Sequence, residues 1–215
     1  MTTLPNIIGL WSPAAGCGKS TVAGILIEAG GHRIEPFAGT LKRMLVSMLQ
    51  DAGLIQSEAL RLVWLDKHEP IGCLPGAINT RRLQQTLGTE WGRDLIGSDL
   101  WVGIWRRRVT APPLGPIVAD DVRMLNEAAA VRSLGGEVWR VLRPGVPGGD
   151  QHPTEAGLGN GFVFDRTITN DGTVLDLRTQ IELGNGFVFD RTIINDGTVL
   201  DLRAQVVERD PSGDA

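Results

Sequence analysis

Hydrophobic positions along this chain change their spacing repeatedly, and each change marks an element. The apolar run from Asn6 to Trp11 predicts a short buried strand. Lys19 to Ala29 predicts a helix ended by Gly30-Gly31, where a left-handed cap suits glycine. Arg33 to Phe37 predicts a second strand. From Thr40, Leu41, Met44, Leu45, Met48 and Leu49 recur at helical spacing on one face, and Gly53 closes that helix. Ser57 predicts the cap of a short helix reaching Trp64, and Pro70, Gly72, Pro75 and Gly76 predict an irregular, mobile connection.

Thr80 opens a long helical region with Leu83, Leu87 and Trp91 near one stripe, which Gly88 and Gly92 are expected to interrupt. Ser98 is the expected cap of the next helix, which carries Trp101 and Trp105. Beyond Pro112-Pro113, Ile117 to Ala119 predicts a buried strand ending in Asp120-Asp121, and Asn126 to Leu134 a helix stopped by Gly135-Gly136. Strands follow at Glu137 to Leu142 and Phe162 to Ile168. An Asn170-Asp171-Gly172 turn and a helix from Val174 to Ile181 complete the series. Strands alternating with helices argue for an α/β domain around a mainly parallel sheet.

Composition narrows the reading. The 215 residues are 42% hydrophobic, enough for one domain and few for two. The formal net charge of -4 gives no global basic excess of the kind that holds a nucleic-acid backbone, so nucleic acid is not an expected partner. The first residues, MTTLPNIIGLW, lack the basic region of a secretory signal, and no apolar stretch approaches membrane-spanning length. A soluble, cytoplasmic protein without a membrane partner is expected. Cys17 and Cys73 form no CxxC pair and have no histidine cluster beside them, which predicts two reduced thiols.

One feature inflates the length. Residues 158–182 and 183–207 are identical at 21 of 25 positions, differing at 169/194, 179/204, 181/206 and 182/207. Two units are too few for a solenoid, which argues for a tandem duplication. The expected organisation is a domain over 1–182 with a helical insertion about 40–110, the duplicate 183–207, and a disordered tail 208–215. The first copy is expected to complete the sheet.

The chemistry starts between the first strand and helix. Ser12 to Thr21, SPAAGCGKST, matches GxxxxGK[ST] except that Pro13 replaces the first glycine. In such a loop the backbone N–H groups of Ala15, Gly16, Cys17 and Gly18 close around phosphate oxygens, Lys19 reaches the β and γ phosphates, the Ser20 hydroxyl ligates Mg²⁺, and Thr21 continues the helix whose positive end faces the anion. Pro13 cannot take positive φ, so the loop's entry is expected to differ from a glycine-containing one.

Three further stretches, FAGTLKRML (37–45), RRLQQTLGTEWGRDLIGSDLWV (81–102) and IVADDVRMLNEAAAVRSLGGEVWRVLRPG (117–145), mix cations, carboxylates and aromatics. With the loop and the final IxNDG turn, the sequence resembles the phage-type deoxynucleoside monophosphate kinases over nearly all of residues 6–182. The resemblance implies a three-layer P-loop NTPase fold, transfer of the ATP γ-phosphoryl group to a deoxynucleoside monophosphate with Mg²⁺, and a homodimer. It implies catalytic roles for Lys19, Asp121, Arg123 and Arg143, with Asp120 the competing carboxylate and Ser20 with Asp121 the metal ligands. Lys42, Arg82, Gln84, Glu90, Arg93, Trp101 and Arg123 would bind the acceptor, and Asn170 and Asp171 would lie beside the adenine, with Asn195 and Asp196 as their equivalents in the second copy. His152 matches an H-x-[ST]-E segment near the phosphates. Trp105 is expected in the core, and Arg106-Arg107-Arg108 as a solvated helix end. Two other readings stay open: a P-loop kinase of another small acceptor, such as dephospho-coenzyme A, and a nucleotide-binding module without turnover.

Overall fold

The computed structural model of the protein describes residues 4–112, 115–146, 158 and 161–183. Within these, five strands form one sheet: β1 (Ile7–Trp11), β2 (Arg33–Ile34), β3 (Ile117–Ala119), β4 (Glu137–Leu142) and β5 (Arg166–Thr169), in the order β2-β3-β1-β4-β5. Every pairing is parallel, with Ile8 opposite Val118, Leu10 opposite Trp139 and Val141 opposite Ile168. The alternation of side chains along β1 separates two cores. Ile8 and Leu10 join Val22, Leu26, Ile168, Leu177 and Ile181 on one face, under α1 (Lys19–Gly30) and the helix Val174–Leu183. Trp11 joins Phe37, Trp105, Ala128 and Val131 on the other face.

A third core lies in the insertion, where α2 (Gly39–Asp51) and α3 (Gln56–Trp64) bury Leu41, Leu45, Leu49, Leu62 and Val63 with Ile71 and Trp101. α4 (Thr80–Gln85) runs without a break into a π-helical segment, Thr86–Ile96, before α5 (Leu100–Val109). α6 (Leu125–Ser133) crosses from β3 to β4, and α7 is the helix Val174–Leu183. Among the described residues no helix is long and apolar enough to cross a membrane.

Several boundaries differ from the sequence expectation. β2 stops at Ile34 although the Glu35 N–H still donates to Val118 O of β3 at 2.9 Å. The Glu35 carbonyl accepts the Trp105 indole N–H at 2.8 Å, and Pro36 has no N–H for a ladder. Met44 and Met48 are exposed, off the buried stripe centred on Leu45 and Leu49. The helix expected from Ser57 starts at Gln56 with Ile55 as its uncapped flank, and the one expected from Ser98 is flanked by Asp99. Asp99 Oδ1 accepts from Asn126 Nδ2 at 2.8 Å instead of capping its own helix. The stretch around Pro70 is irregular but anchored: Ile71 is buried and its N–H donates to Ile78 O at 2.8 Å.

Gly88 and Gly92 do not interrupt the helix; they lie within the π segment. The strand expected from Phe162 begins only at Arg166. Asp165 Oδ2 takes the Val138 N–H at 2.8 Å in place of a backbone carbonyl, while Phe164 turns onto Trp11 with ring centroids 5.0 Å apart. The duplicate 183–207 beyond Leu183, the tail, His152, Asn195 and Asp196 lie outside the described residues.

Candidate phosphoryl-transfer site

The carboxyl ends of β1, β3, β4 and β5 lie at one edge of the sheet, the side on which open parallel sheets bind ligands. Each strand delivers candidate groups there directly: β1 the Ser12–Ser20 loop, β3 Asp120 and Asp121, β4 Arg143, and β5 Asn170. Together with α2, α4 and the π segment they line a cleft of about 600 Å³.

In the loop, Gly16 (φ 81) and Gly18 (φ 101) take left-handed conformations, the kind of backbone from which anion-binding nests are built. Pro13 is outside the positive-φ residues, so the first position of the motif needs no glycine here. Ser12 Oγ donates to Ala14 O at 2.8 Å and accepts from Lys19 Nζ, which ties the loop's entry to its lysine. Burial, and then the nearby Arg123 charge, hold the Lys19 amine below its ordinary range.

Of the residues the sequence singled out, the cleft brings together Ala15 through Thr21, Lys42, Gln84, Arg93, Trp101, Asp120, Asp121, Arg123, Arg143 and Asn170. Arg82, Glu90 and Asp171 are outside its lining. Helical phase explains the first. Asn79 Oδ1 accepts the Arg82 N–H at 3.0 Å and fixes the start of α4, so Arg81, Gln84, Gln85 and Gly88 share the cleft face and Arg82 points elsewhere. Glu90 is exposed on the π segment, and Asp171 is exposed past the end of β5.

The π winding has its own consequence. At α-helical pitch Arg93, twelve residues after Arg81, would be turned about a third of a turn from it. The wider i→i+5 winding returns Thr89 and Arg93 to the cleft and turns Gly92 inward against Trp101. A Cβ on Gly92 would lie 2.4 Å from Trp101 Nε1, and that indole N–H donates to Gly88 O at 2.8 Å. Trp101 is 2% exposed, so it forms a wall of the cleft and holds the π segment; it is not a free stacking ring. Trp105 is core, as expected, stacked on Phe37 at 4.3 Å between centroids. Arg106 reaches Ser133 and Arg108 pairs with Glu35 at 2.8 Å, so these two are engaged, while Arg107 is exposed.

The carboxylates divide the work differently from the expectation. Both oxygens of Asp121 accept backbone N–H groups at the start of α2, from Phe37 at 2.8 Å and Ala38 at 3.0 Å. Asp121 therefore anchors the helix that carries Lys42. Asp120 faces the cleft, and burial, followed by the adjacent Asp121 charge, holds its carboxyl above the usual aspartate range against the pull of Lys42 and Lys19.

Sequence reasoning missed Lys67, Arg81 and Glu127. Lys67 comes from the connection after α3, and its carbonyl accepts the Arg81 N–H at 2.8 Å, so two cations enter the cleft side by side. Burial and then the Lys42 charge hold the Lys67 amine low, and burial alone dominates the lowering at Lys42, which also sits 4.0 Å over the Trp64 ring. Glu127 accepts from Arg123 N at 2.7 Å and Met124 N at 3.0 Å while pairing with Arg93. Its signal was a glutamate in the first turn of a helix, hidden because methionine occupies the cap position.

Comparison with known proteins agrees with this geometry. Residues 75–181 match the family described as deoxynucleotide monophosphate kinase. A protein of Acanthamoeba polyphaga mimivirus, provisionally named for the same activity, is 28% identical over 193 residues, covering 81% of this chain and 93% of its own. The deoxynucleotide monophosphate kinase of Escherichia phage RB69 is 33% identical over 124 residues, and that of Enterobacteria phage T4 is 34% identical over 113. These cover 53% and 48% of this chain, which spans about half the length of the two phage proteins. The family match takes in α4 and the π segment, Asp120 and Asp121, β4 and β5, and the mimivirus match extends over most of the chain, which is thus similar to the deoxynucleotide monophosphate kinases along most of its length.

Proposed function

We propose that this protein transfers the γ-phosphoryl group of ATP to the phosphate of a deoxynucleoside monophosphate, giving the diphosphate and ADP. The observation that carries the reading is the single cleft in which a phosphate-binding loop faces Lys42, Lys67, Arg81, Arg93 and Arg123. Two polyanions repel each other, and a site that brings them together needs cations from both sides.

An acceptor phosphate oxygen attacks the γ-phosphorus, and the bond from that phosphorus to the bridging oxygen breaks, leaving ADP. A phosphate monoester is largely dianionic at neutral pH, so its attacking oxygen needs no base. The residues therefore work by positioning and charge. The loop N–H groups and Lys19 hold the donor phosphates, and Arg81 and Arg93 give the planar donors suited to the acceptor's phosphate. Arg123 and Arg143 spread over the oxygens between them.

Mg²⁺ fits the donor set: Ser20 Oγ and the Asp120 carboxylate are hard oxygen ligands lining one cleft, and a magnesium ion completes such a set with water and substrate phosphates. There it would neutralise charge on the transferred group. Asp120 takes the role expected of Asp121, whose oxygens are already bonded to α2.

The test is ADP release in a coupled assay with each of the four deoxynucleoside monophosphates, beside Lys19→Ala. Acceptor-dependent ADP that the variant loses supports the reading. ATP binding without acceptor-dependent ADP from any monophosphate overturns it.

A further inference from the structure

Asn170 lines the nucleotide cleft, which invites the reading of a residue that recognises the base. Its bonds point elsewhere. The side-chain amide donates to the carbonyl of Cys17, inside the phosphate loop, at 3.1 Å. It lies so close over Gly18 that a Cβ there would meet Nδ2 at 2.4 Å.

The backbone of Asn170 is held from two sides. Its N–H donates to Leu142 O at 2.7 Å, carrying the β4–β5 ladder one residue past the strand. The preceding residue, Thr169, is clamped by Gln180 of α7: Thr169 N donates to Gln180 Oε1 and Gln180 Nε2 donates to Thr169 O, each at 2.9 Å. β5 and α7 thus aim one amide at one loop carbonyl.

The target matters because of peptide geometry. In a trans peptide the C=O and the following N–H point in opposite directions. Holding the Cys17 carbonyl toward Asn170 turns the Gly18 N–H away from it. A flipped peptide would place a carbonyl oxygen where an N–H serves a phosphate. Gly18, with its φ of 101, is the residue that follows this peptide, and a glycine there gives the peptide more freedom to flip than another residue would, so an external tether has an effect here.

We propose that Asn170 is a positioning residue for the phosphate loop, acting through the Cys17–Gly18 peptide on the triphosphate and not on the base. The proposal rests on the reading of the loop as the donor-phosphate site, but not on the identity of the acceptor.

A base reader and a loop tether respond differently to donors that differ in their base. In the full chain, Asn170→Ala should raise KM for ATP and GTP by the same factor, about three- to tenfold as for loss of one hydrogen bond, with the ATP-to-GTP ratio and the acceptor KM unchanged. Asn170→Asp, which replaces the donor by a carboxylate oxygen beside Cys17 O, should be worse than alanine for both. Binding of inorganic tripolyphosphate, which has no base, should weaken by the same factor and can be measured by calorimetry even if no monophosphate is phosphorylated. A changed ATP-to-GTP ratio with unaltered tripolyphosphate binding would overturn the proposal in favour of base recognition, and so would unaltered binding of all three. Should Asn170→Ala fold poorly, Gln180→Ala loosens the same clamp from α7 and should reproduce the base-independent loss; a base-dependent loss there also overturns it.

Discussion

Glu127 and Arg93 form an ion pair almost wholly out of solvent, with side-chain exposures of 4% and 15%. The pair ties the N-terminus of α6, which belongs to the sheet, to the π segment of the insertion, and Arg93 NH1 also donates to Ser98 O at 3.2 Å. A buried pair of this kind is a weak source of stability, because desolvation offsets most of the attraction. Its value is in placing a guanidinium on the cleft wall.

Removing one partner leaves a buried charge uncompensated. Glu127→Gln is expected to lose about 3–5 kcal/mol of stability, read as a lower thermal midpoint, together with a higher acceptor KM. The double variant Arg93→Met/Glu127→Gln should regain the midpoint and not the acceptor affinity. Recovery of both would mean that the pair is structural only.

Asp120 and Asp121 are neighbours with separable consequences. Asp121→Ala leaves the Phe37 and Ala38 N–H groups without their acceptor and should destabilise by about 1.5–3 kcal/mol, roughly 3–12 °C in a domain of this size. Asp120→Asn touches no such bond and should lower kcat by about a hundredfold or more with the fold intact. Calorimetry and steady-state kinetics on both variants separate the roles, and equal loss of turnover at unchanged stability would put Asp121 back in the chemistry.

The same aspartate gives a pH dependence with a fixed sign. Burial first, and then Asp121, raise the Asp120 carboxyl, so the folded protein holds that proton more tightly than the unfolded chain. Its contribution favours folding below the ordinary aspartate range and is lost as the pH rises through the folded value. At neutral pH its charge opposes folding. Asp120→Asn should therefore melt higher than the parent near neutral pH, with the gap closing as the pH is lowered toward the ordinary aspartate range. Lys19, Lys42 and Lys67 are lowered, chiefly by burial, so kcat/KM should fall on the alkaline side before ordinary lysines titrate.

Much of this architecture was legible in the residues. β1, α1 and β4 follow the apolar pattern within a residue or two, because each has a full buried face and a glycine or loop signal at its end. The loop residues were legible because strand, turn and helix have to coincide for that motif to work. Side-chain substitution for backbone hid the rest. Asp165 shortens β5, Glu127 caps α6 where methionine masks the cap position, and Asp121 anchors a helix more than eighty residues away in sequence. The exchange of Arg82 for Arg81 on the cleft face depended on one cap, Asn79, and the place of Arg93 on a winding that no periodicity announces.

The duplicated segment gives the last expectation. Deleting 183–207 leaves the described β5 and α7 nearly whole, losing only Leu183, and should leave turnover and thermal midpoint close to those of the full chain. Deleting 158–182 instead brings the second copy to the same distance from β4, and the resulting chain differs from the first deletion at only four positions. Three of them are mild: Thr169, bonded to Gln180 through its backbone, becomes isoleucine, and the side chains at 179 and 182 are on the outer side of α7 or partly exposed. The fourth puts valine in place of Ile181, which is 1% exposed in the core beneath α1. One buried methyl group is worth about 0.5–1.5 kcal/mol, so the second deletion should melt roughly 1–6 °C lower than the first and keep its activity. If removal of 183–207 abolished folding while removal of 158–182 did not, the first copy would not be the one that completes the sheet.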